Sequence, residues 1–324
     1  MNASLRRLAA SVVITGFRET PPDFPFAGFI FFDRDSASLA ELRALTDALR
    51  ARYDGLPPIL AIDQEGGRVM RLRDGVAPMP PAAEIGASGD EALAERIGAQ
   101  CAHDLRRAGC NLNFAPVLDL AVDPRNTVIG DRSFGADPAA VTRMARAFAR
   151  GLERGGVLAT YKHFPGHGAT AVDSHNALPT IEIDEATLRA RDLAPFAAVA
   201  GEAHAMMTAH VVVRALDPNH PATLSRRILQ MLLRDELGFR GVCFTDCLQM
   251  AAIAGENGNT QGALEALRAG ADALTVSDDP TLAIAIVERL ERALEEGDLA
   301  MERLQEAAAR VDALRALLQP PLPI

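Results

Sequence analysis

The sequence predicts an α/β protein, a single (β/α)8 TIM-type barrel with a C-terminal helix, and three observations carry that reading. Eight short apolar runs, several of them β-branched, recur along 324 residues. Between most of them lie segments with the 3.6-residue period of a helix that buries one face. Chemistry-bearing residues gather at the C-terminal ends of the runs, which is where such barrels carry their sites.

The first run, SVVITGF (11–17), reads as a strand because Val12, Val13 and Ile14 are β-branched. Two arginines precede it, as in an export signal, but no small-residue cleavage site follows, so the strand reading is preferred. GFIFF (28–32) is the second run, and Leu39, Leu42, Leu45 and Leu49 form the helical stripe behind it. ILAID (59–63) precedes the stripe Leu93, Ile97, Cys101 and Leu105; LNFAPVLDL (112–120) precedes Val141, Met144, Phe148 and Leu152. VLATYKHF (157–164) and AMMTAHVVV (205–213) follow, then the stripe Ile228, Leu229, Leu232 and Leu233. Thr223 is the expected N-cap of that helix and Gly238 its stop. GVCFTD (241–246) and ADALTV (271–276) complete the eight, and a last helix, Leu304 to Leu318, ends at Pro320 and Pro321. A doubly wound open sheet is the rival, but the GxGxxG phosphate turn of its dinucleotide-binding forms is missing. No linker, repeat or low-complexity tract interrupts residues 1–324, which are read as one domain.

A net charge of −10 with no basic cluster argues against nucleic acid or an anionic membrane as partner and favours a small, carbohydrate-like ligand. No apolar run approaches the ~20 residues of a membrane span. Cys101, Cys110, Cys243 and Cys247 form no CxxC pair and suit a reducing, cytoplasmic compartment. A monomer is the expected state. Lys162 is the only lysine in a chain otherwise served by arginine.

The strand ends supply the candidate site. Asp63 ends the third run, Asp119 the fourth, Lys162 and His163 the fifth; the sixth reaches His210 and the seventh ends in Asp246. After Lys162 comes a loop rich in histidine. His163 and His167 have HxxxH spacing, and Asp173 and His175 could add metal ligands, but Pro165 and Gly166 interrupt the helix that such spacing needs. No metal and no cofactor is therefore expected, and His167 reads as a turn-stabilising side chain. Asp173 and His175 make a better pair: a carboxylate two residues away fixes an imidazole tautomer and raises its pKa, so the ring donates a proton near neutrality.

KHFPGHG joined to DSHNALP, with IDQEGGRVMRL, NFAPVLDLA, IGDRSFG, RDLAPF, MMTAHVV, PATLS and ELGFRGVCFTD, resembles the single-domain bacterial β-N-acetylglucosaminidases of glycoside hydrolase family 3 used in cell-wall recycling. The resemblance implies an exo-acting enzyme that removes terminal GlcNAc from peptidoglycan-derived muropeptides with retention of configuration. It implies Asp246 as nucleophile, His175 as acid/base partnered by Asp173, and Asp63, Arg71, Arg132, Lys162 and His163 as sugar-binding residues. One departure stands out: the family's usual SDDLSM is TDCLQM here, with Cys247 and Gln249 in place of an aspartate and a serine. A sugar-binding barrel without activity, and a family 3 β-glucosidase or phosphorylase variant, are the alternative readings.

Overall fold

The computed structural model describes residues 3–170, 178–250 and 258–323. Its strands, in chain order, are β1 (Val13–Thr15), β2 (Gly28–Phe31), β3 (Ile59–Ile62), β4 (Gln64–Gly66), β5 (Val69–Met70), β6 (Leu112–Asn113), β7 (Leu158–Ala159), β8 (Tyr161–Phe164), β9 (Thr180–Ile181), β10 (Ala205–Thr208), β11 (Val212–Val213), β12 (Val242–Phe244) and β13 (Leu274–Val276). Each of the eight apolar runs holds at least one of them.

Six strands pair in parallel in the order β13-β1-β2-β3-β6-β7, and three more in the order β12-β10-β8. Two parallel bridges, Val117 with Lys162 and Phe244 with Ala273, connect the two sheets. The exceptions are small: β4 and β5 form an antiparallel turn, and β9 pairs with β11 at the rim. The chain is thus an α/β protein whose principal strands run in one direction.

Strand residues alternate between two buried environments, as the two-residue period of a strand dictates. Ile14, Ile30, Ile59, Ala61, Leu112, Met207, Val242 and Phe244 pack together on one face. Val13, Phe29, Phe31, Leu60, Ile62, Met206, Cys243 and Leu274 face the helices. Burial on both faces explains why the runs read as continuously apolar.

The helices follow the expected stripes. Leu39–Arg50, Glu91–Arg107 and Pro138–Arg154 start at Ser38, Asp90 and Asp137, whose side chains accept backbone N–H bonds from Glu41, Leu93 and Ala140. Two features went unread in the sequence, and one expectation is corrected. An eight-residue helix, Ala3–Ala10, precedes β1, and Arg6 on it pairs with Glu288 at 3.4 Å. The stripe at Ile228 belongs to a π-helix, Arg227–Glu236, whose Ile228 N–H bonds to Ser225 Oγ. Thr223 does not cap it: its hydroxyl turns inward, to Thr208 and His210. Gly238 does follow the helix, at φ 72, a left-handed conformation that favours glycine. The final helix spans Met301–Leu317.

At the N-terminal ends of β12 and β13, the wholly buried Asp272 receives Arg234, Arg303, Arg310 and the N–H of Cys243. A buried carboxylate so fully paired ties the last helix to the sheet without facing the site. The opposite ends of the strands are left to chemistry.

Candidate active site

A cavity of about 550 Å3 opens at the C-terminal ends of the strands, and Asp63, Arg71, Arg132, Lys162, His163 and Asp246 all line it. These are six of the eight residues the sequence assigned to the site. The other two, Asp173 and His175, lie outside the described residues.

The cavity floor is a compact charge cluster. Lys162 is 2% exposed, and its Nζ lies 2.6 Å from Oδ1 of Asp63 and 2.6 Å from Oε1 of Glu65. Glu65 in turn holds Arg132 by both oxygens, Nε to Oε2 at 2.8 Å and Nη2 to Oε1 at 2.8 Å. Burial alone would discharge these groups, but here two carboxylates face two cations. Burial pushes the Glu65 pKa up, yet Arg132 and Lys162 prevail and hold it well below the usual carboxylate range. For Lys162, burial works downward, and Asp63 and Glu65 reverse it to a net rise. Arg132 is likewise raised, against its burial, by Glu65.

Glu65 was not among the residues singled out from the sequence. Its signal was the glycine pair that follows: Gly66 and Gly67 have φ of 105 and 54, and a Cβ on Gly66 would stand 2.3 Å from the Pro80 carbonyl. Only glycine allows so tight a turn from β4 to β5. Gln64 locks the turn by exchanging two bonds with the Leu72 backbone, at 2.7 and 3.0 Å. Arg71 leaves the same turn with its N–H on the Asp63 carbonyl and its guanidinium 5.7 Å from the centre of the Phe32 ring.

Asp119, 1% exposed, organises the histidines. Its Oδ2 accepts from Nδ1 of His163 at 2.6 Å and from the His163 N–H at 3.2 Å; its Oδ1 accepts from the His167 N–H at 2.6 Å. Burial raises the Asp119 pKa, but the His163 charge and hydrogen bond and the His167 contacts outweigh it, so the net shift is downward. A carboxylate only accepts, so Nδ1 of His163 carries the proton and Nε2 is the nitrogen left for a ligand. His167 keeps the turn role expected of it, with Nδ1 3.0 Å from Thr170 Oγ1, and also lines the cavity. Its pKa is lowered, first by burial. Among the described residues, no cluster of three or more His, Cys, Asp or Glu is placed to hold a metal ion.

Asp246 follows β12. Burial raises its pKa, but the neighbouring His210 and His163, the Cys247 N–H on Oδ1 at 2.7 Å, and Lys162 bring it below the usual value. The carboxylate is therefore ionised at neutral pH. Cys247 is a poor rival nucleophile because burial raises its thiol pKa. Gln249 has a constructive role: Oε1 accepts the N–H groups of Ser277 and Asp278 at 2.7 and 3.0 Å, and Nε2 donates to Asp278 Oδ1 at 2.8 Å. TDCLQM thus stitches the loop after β12 to the loop after β13.

A beta-hexosaminidase of Pseudomonas aeruginosa is 44% identical over 268 residues, covering 81% of this chain and 79% of that protein. The structure superposes on a glycoside hydrolase family 3 beta-N-acetylglucosaminidase from Paenibacillus sp. str. FPU-7 with a TM-score of 0.94 at 39% identity, over 99% of this chain and 64% of that one. This chain thus spans just under two thirds of the Paenibacillus protein. NagZ from Neisseria gonorrhoeae, in complex with N-trifluoroacetyl-D-glucosamine, aligns with a TM-score of 0.77 at 33% identity, over 94% of this chain and 98% of that one. The Glycosyl hydrolase family 3 N terminal domain matches residues 22–314, and the chain belongs to that family of glycoside hydrolases.

Proposed function

We propose that the chain is a retaining exo-β-N-acetylglucosaminidase that releases terminal GlcNAc from peptidoglycan-derived muropeptides. The observation that carries this reading is the convergence of ionised Asp246 with Lys162, His163, Arg132, Arg71 and Asp63 around one cavity. The names of the relatives support the sugar: a beta-hexosaminidase, a beta-N-acetylglucosaminidase and a protein crystallised with an N-acylated glucosamine.

Asp246 attacks the anomeric carbon and forms a covalent glycosyl-enzyme while His175, oriented by Asp173, gives a proton to the departing oxygen; His175 then takes a proton from the water that releases the sugar. An imidazole is neutral after proton donation and so does not repel the carboxylates of a muropeptide leaving group. The charge cluster serves recognition. Asp63, Arg71, Arg132, Lys162 and His163 offer donors and acceptors to sugar hydroxyls from side chains that other residues already hold in place.

We also infer that the two parallel sheets close into one (β/α)8 barrel over residues 1–324, with the bridges at Val117–Lys162 and Phe244–Ala273 as the seams. The enzyme is read as a cytoplasmic monomer: all four cysteines are free, and among the described residues no helix is long and apolar enough to cross a membrane. The test is release of p-nitrophenol from its β-GlcNAc and β-glucose glycosides by wild type and by Asp246→Ala. Turnover of the N-acetylated substrate alone, lost in the variant, is expected. No turnover by folded wild type would favour a sugar-binding protein, and preference for plain glucoside would reassign the substrate.

A further inference from the structure

The segment that carries Asp246 is gripped at both ends by one chain of hydrogen bonds. The Asp246 N–H points to Thr208 Oγ1 at 3.4 Å, Thr208 Oγ1 lies 2.7 Å from Thr223 Oγ1, Thr223 Oγ1 lies 2.7 Å from His210 Nδ1, and His210 Nε2 lies 2.9 Å from the Cys247 carbonyl. The path leaves the backbone at residue 246 and returns to it at residue 247. Thr208, Thr223 and His210 are all fully buried.

Chemistry sets its direction. The Cys247 carbonyl only accepts, so Nε2 of His210 is the donor. In a neutral imidazole Nδ1 then accepts, and the Thr223 hydroxyl, which also lies 3.1 Å from the Ala209 carbonyl, gives its one proton to the nearer nitrogen at 2.7 Å. Thr208 donates to Thr223 and accepts from Asp246. All four links run one way, each hydroxyl donating once and accepting once, and such a chain is cooperative in a buried site. Three different elements meet in it: β10 supplies Thr208, the segment just beyond β10 supplies His210, and the turn Ala222–Leu224 supplies Thr223.

We propose that Thr208, Thr223 and His210 are positioning residues that clamp the Asp246–Cys247 peptide and thereby aim the Asp246 carboxylate at the anomeric carbon. With Oδ1 of Asp246 held by the Cys247 N–H, fixing that peptide fixes the carboxylate plane and presents Oδ2 for bond formation. This inference rests on the reading of Asp246 as nucleophile. It goes further by assigning the precision of that nucleophile to side chains outside the cavity lining.

The test is the rate at which a slowly released fluorinated GlcNAc donor labels Asp246, followed by intact mass and peptide mapping, together with steady-state kinetics on an aryl β-GlcNAc glycoside. Thr223→Val removes the hydroxyl while nearly conserving shape; labelling rate and kcat are expected to fall about 10- to 100-fold, with KM within about twofold. Thr223→Ser restores the hydroxyl and is expected to recover most of the loss, which a purely steric role would not allow. Thr208→Val and Thr208→Ser make the same comparison one link nearer Asp246, should Thr223→Val not fold. Labelling of wild type at Asp246 with an unchanged rate in the folded valine variants would overturn the clamp alone. Failure of wild type to label at Asp246 would overturn the nucleophile reading and the clamp with it.

Discussion

Glu65 holds Arg132 through two parallel bonds of 2.8 Å, and the same carboxylate reaches Lys162 at 2.6 Å. One buried side chain thus fixes two cations that face the cavity. Glu65→Gln keeps the shape and removes the charge, leaving Lys162 and Arg132 to share Asp63. kcat/KM for a GlcNAc glycoside is expected to fall about 10- to 100-fold, with a lowered Tm, because breaking a buried ion cluster leaves uncompensated charge. Steady-state kinetics and thermal melts check both.

The same pair carries a pH signature. The folded-state pKa of Glu65 is depressed, so its stabilisation is fully present above the unfolded value of about 4.3 and is lost as pH falls toward the folded value. Wild type is therefore expected to lose stability more steeply than Glu65→Gln below about pH 4. Urea unfolding from pH 3 to 7 measures the difference, and parallel curves would contradict it.

Lys162→Arg is expected to lower kcat/KM by about 10-fold or more. The structure supplies the reason a lone lysine persists in this chain. Two carboxylate oxygens at 2.6 Å around the ammonium of a 2% exposed side chain leave a compact tetrahedral site, and a flat guanidinium would have to displace Asp63 or Glu65. Equal kinetics in the arginine variant would refute this.

Asp119→Asn removes the acceptor charge that fixes His163, and an amide can turn its NH2 toward Nδ1 and reverse the tautomer. Loss of about 10-fold or more in kcat/KM is expected, with the His163 ring signals shifted in the NMR spectrum of the folded variant. Unchanged ring shifts would count against the tautomer assignment.

Cys247→Asp restores the acid that the family usually carries beside the nucleophile. A second carboxylate disfavours ionisation of Asp246, so the acidic limb of the kcat/KM profile is expected to move to higher pH. A limb that stays in place would show that position 247 is electrostatically silent.

Much of this site was legible in the sequence because parallel strands announce themselves as apolar runs and their ends then point to one rim. Asp63, Lys162, His163 and Asp246 were found that way, and Arg71 and Arg132 through the family resemblance. Glu65 escaped because it sits past the strand end, in a turn whose inward aim depends on Gly66, Gly67 and the Gln64–Leu72 bonds. Thr223 was read as a helix cap, since local spacing cannot reveal that β10 lies close enough to take its hydroxyl. The helix Ala3–Ala10, just before the first strand run, went unread because it is short and buries only Ala9 and Ala10. Each miss involves a contact between segments far apart in the chain or a burial too slight to leave a period.

The most direct measurement is proton NMR of the first-formed sugar as the enzyme cleaves an aryl β-GlcNAc glycoside. Attack by Asp246 followed by attack of water inverts the anomeric carbon twice, so β-GlcNAc is expected first, with the α anomer appearing only through slow mutarotation. Initial release of the α anomer would mean a single displacement by water, and Asp246 could not then be the nucleophile.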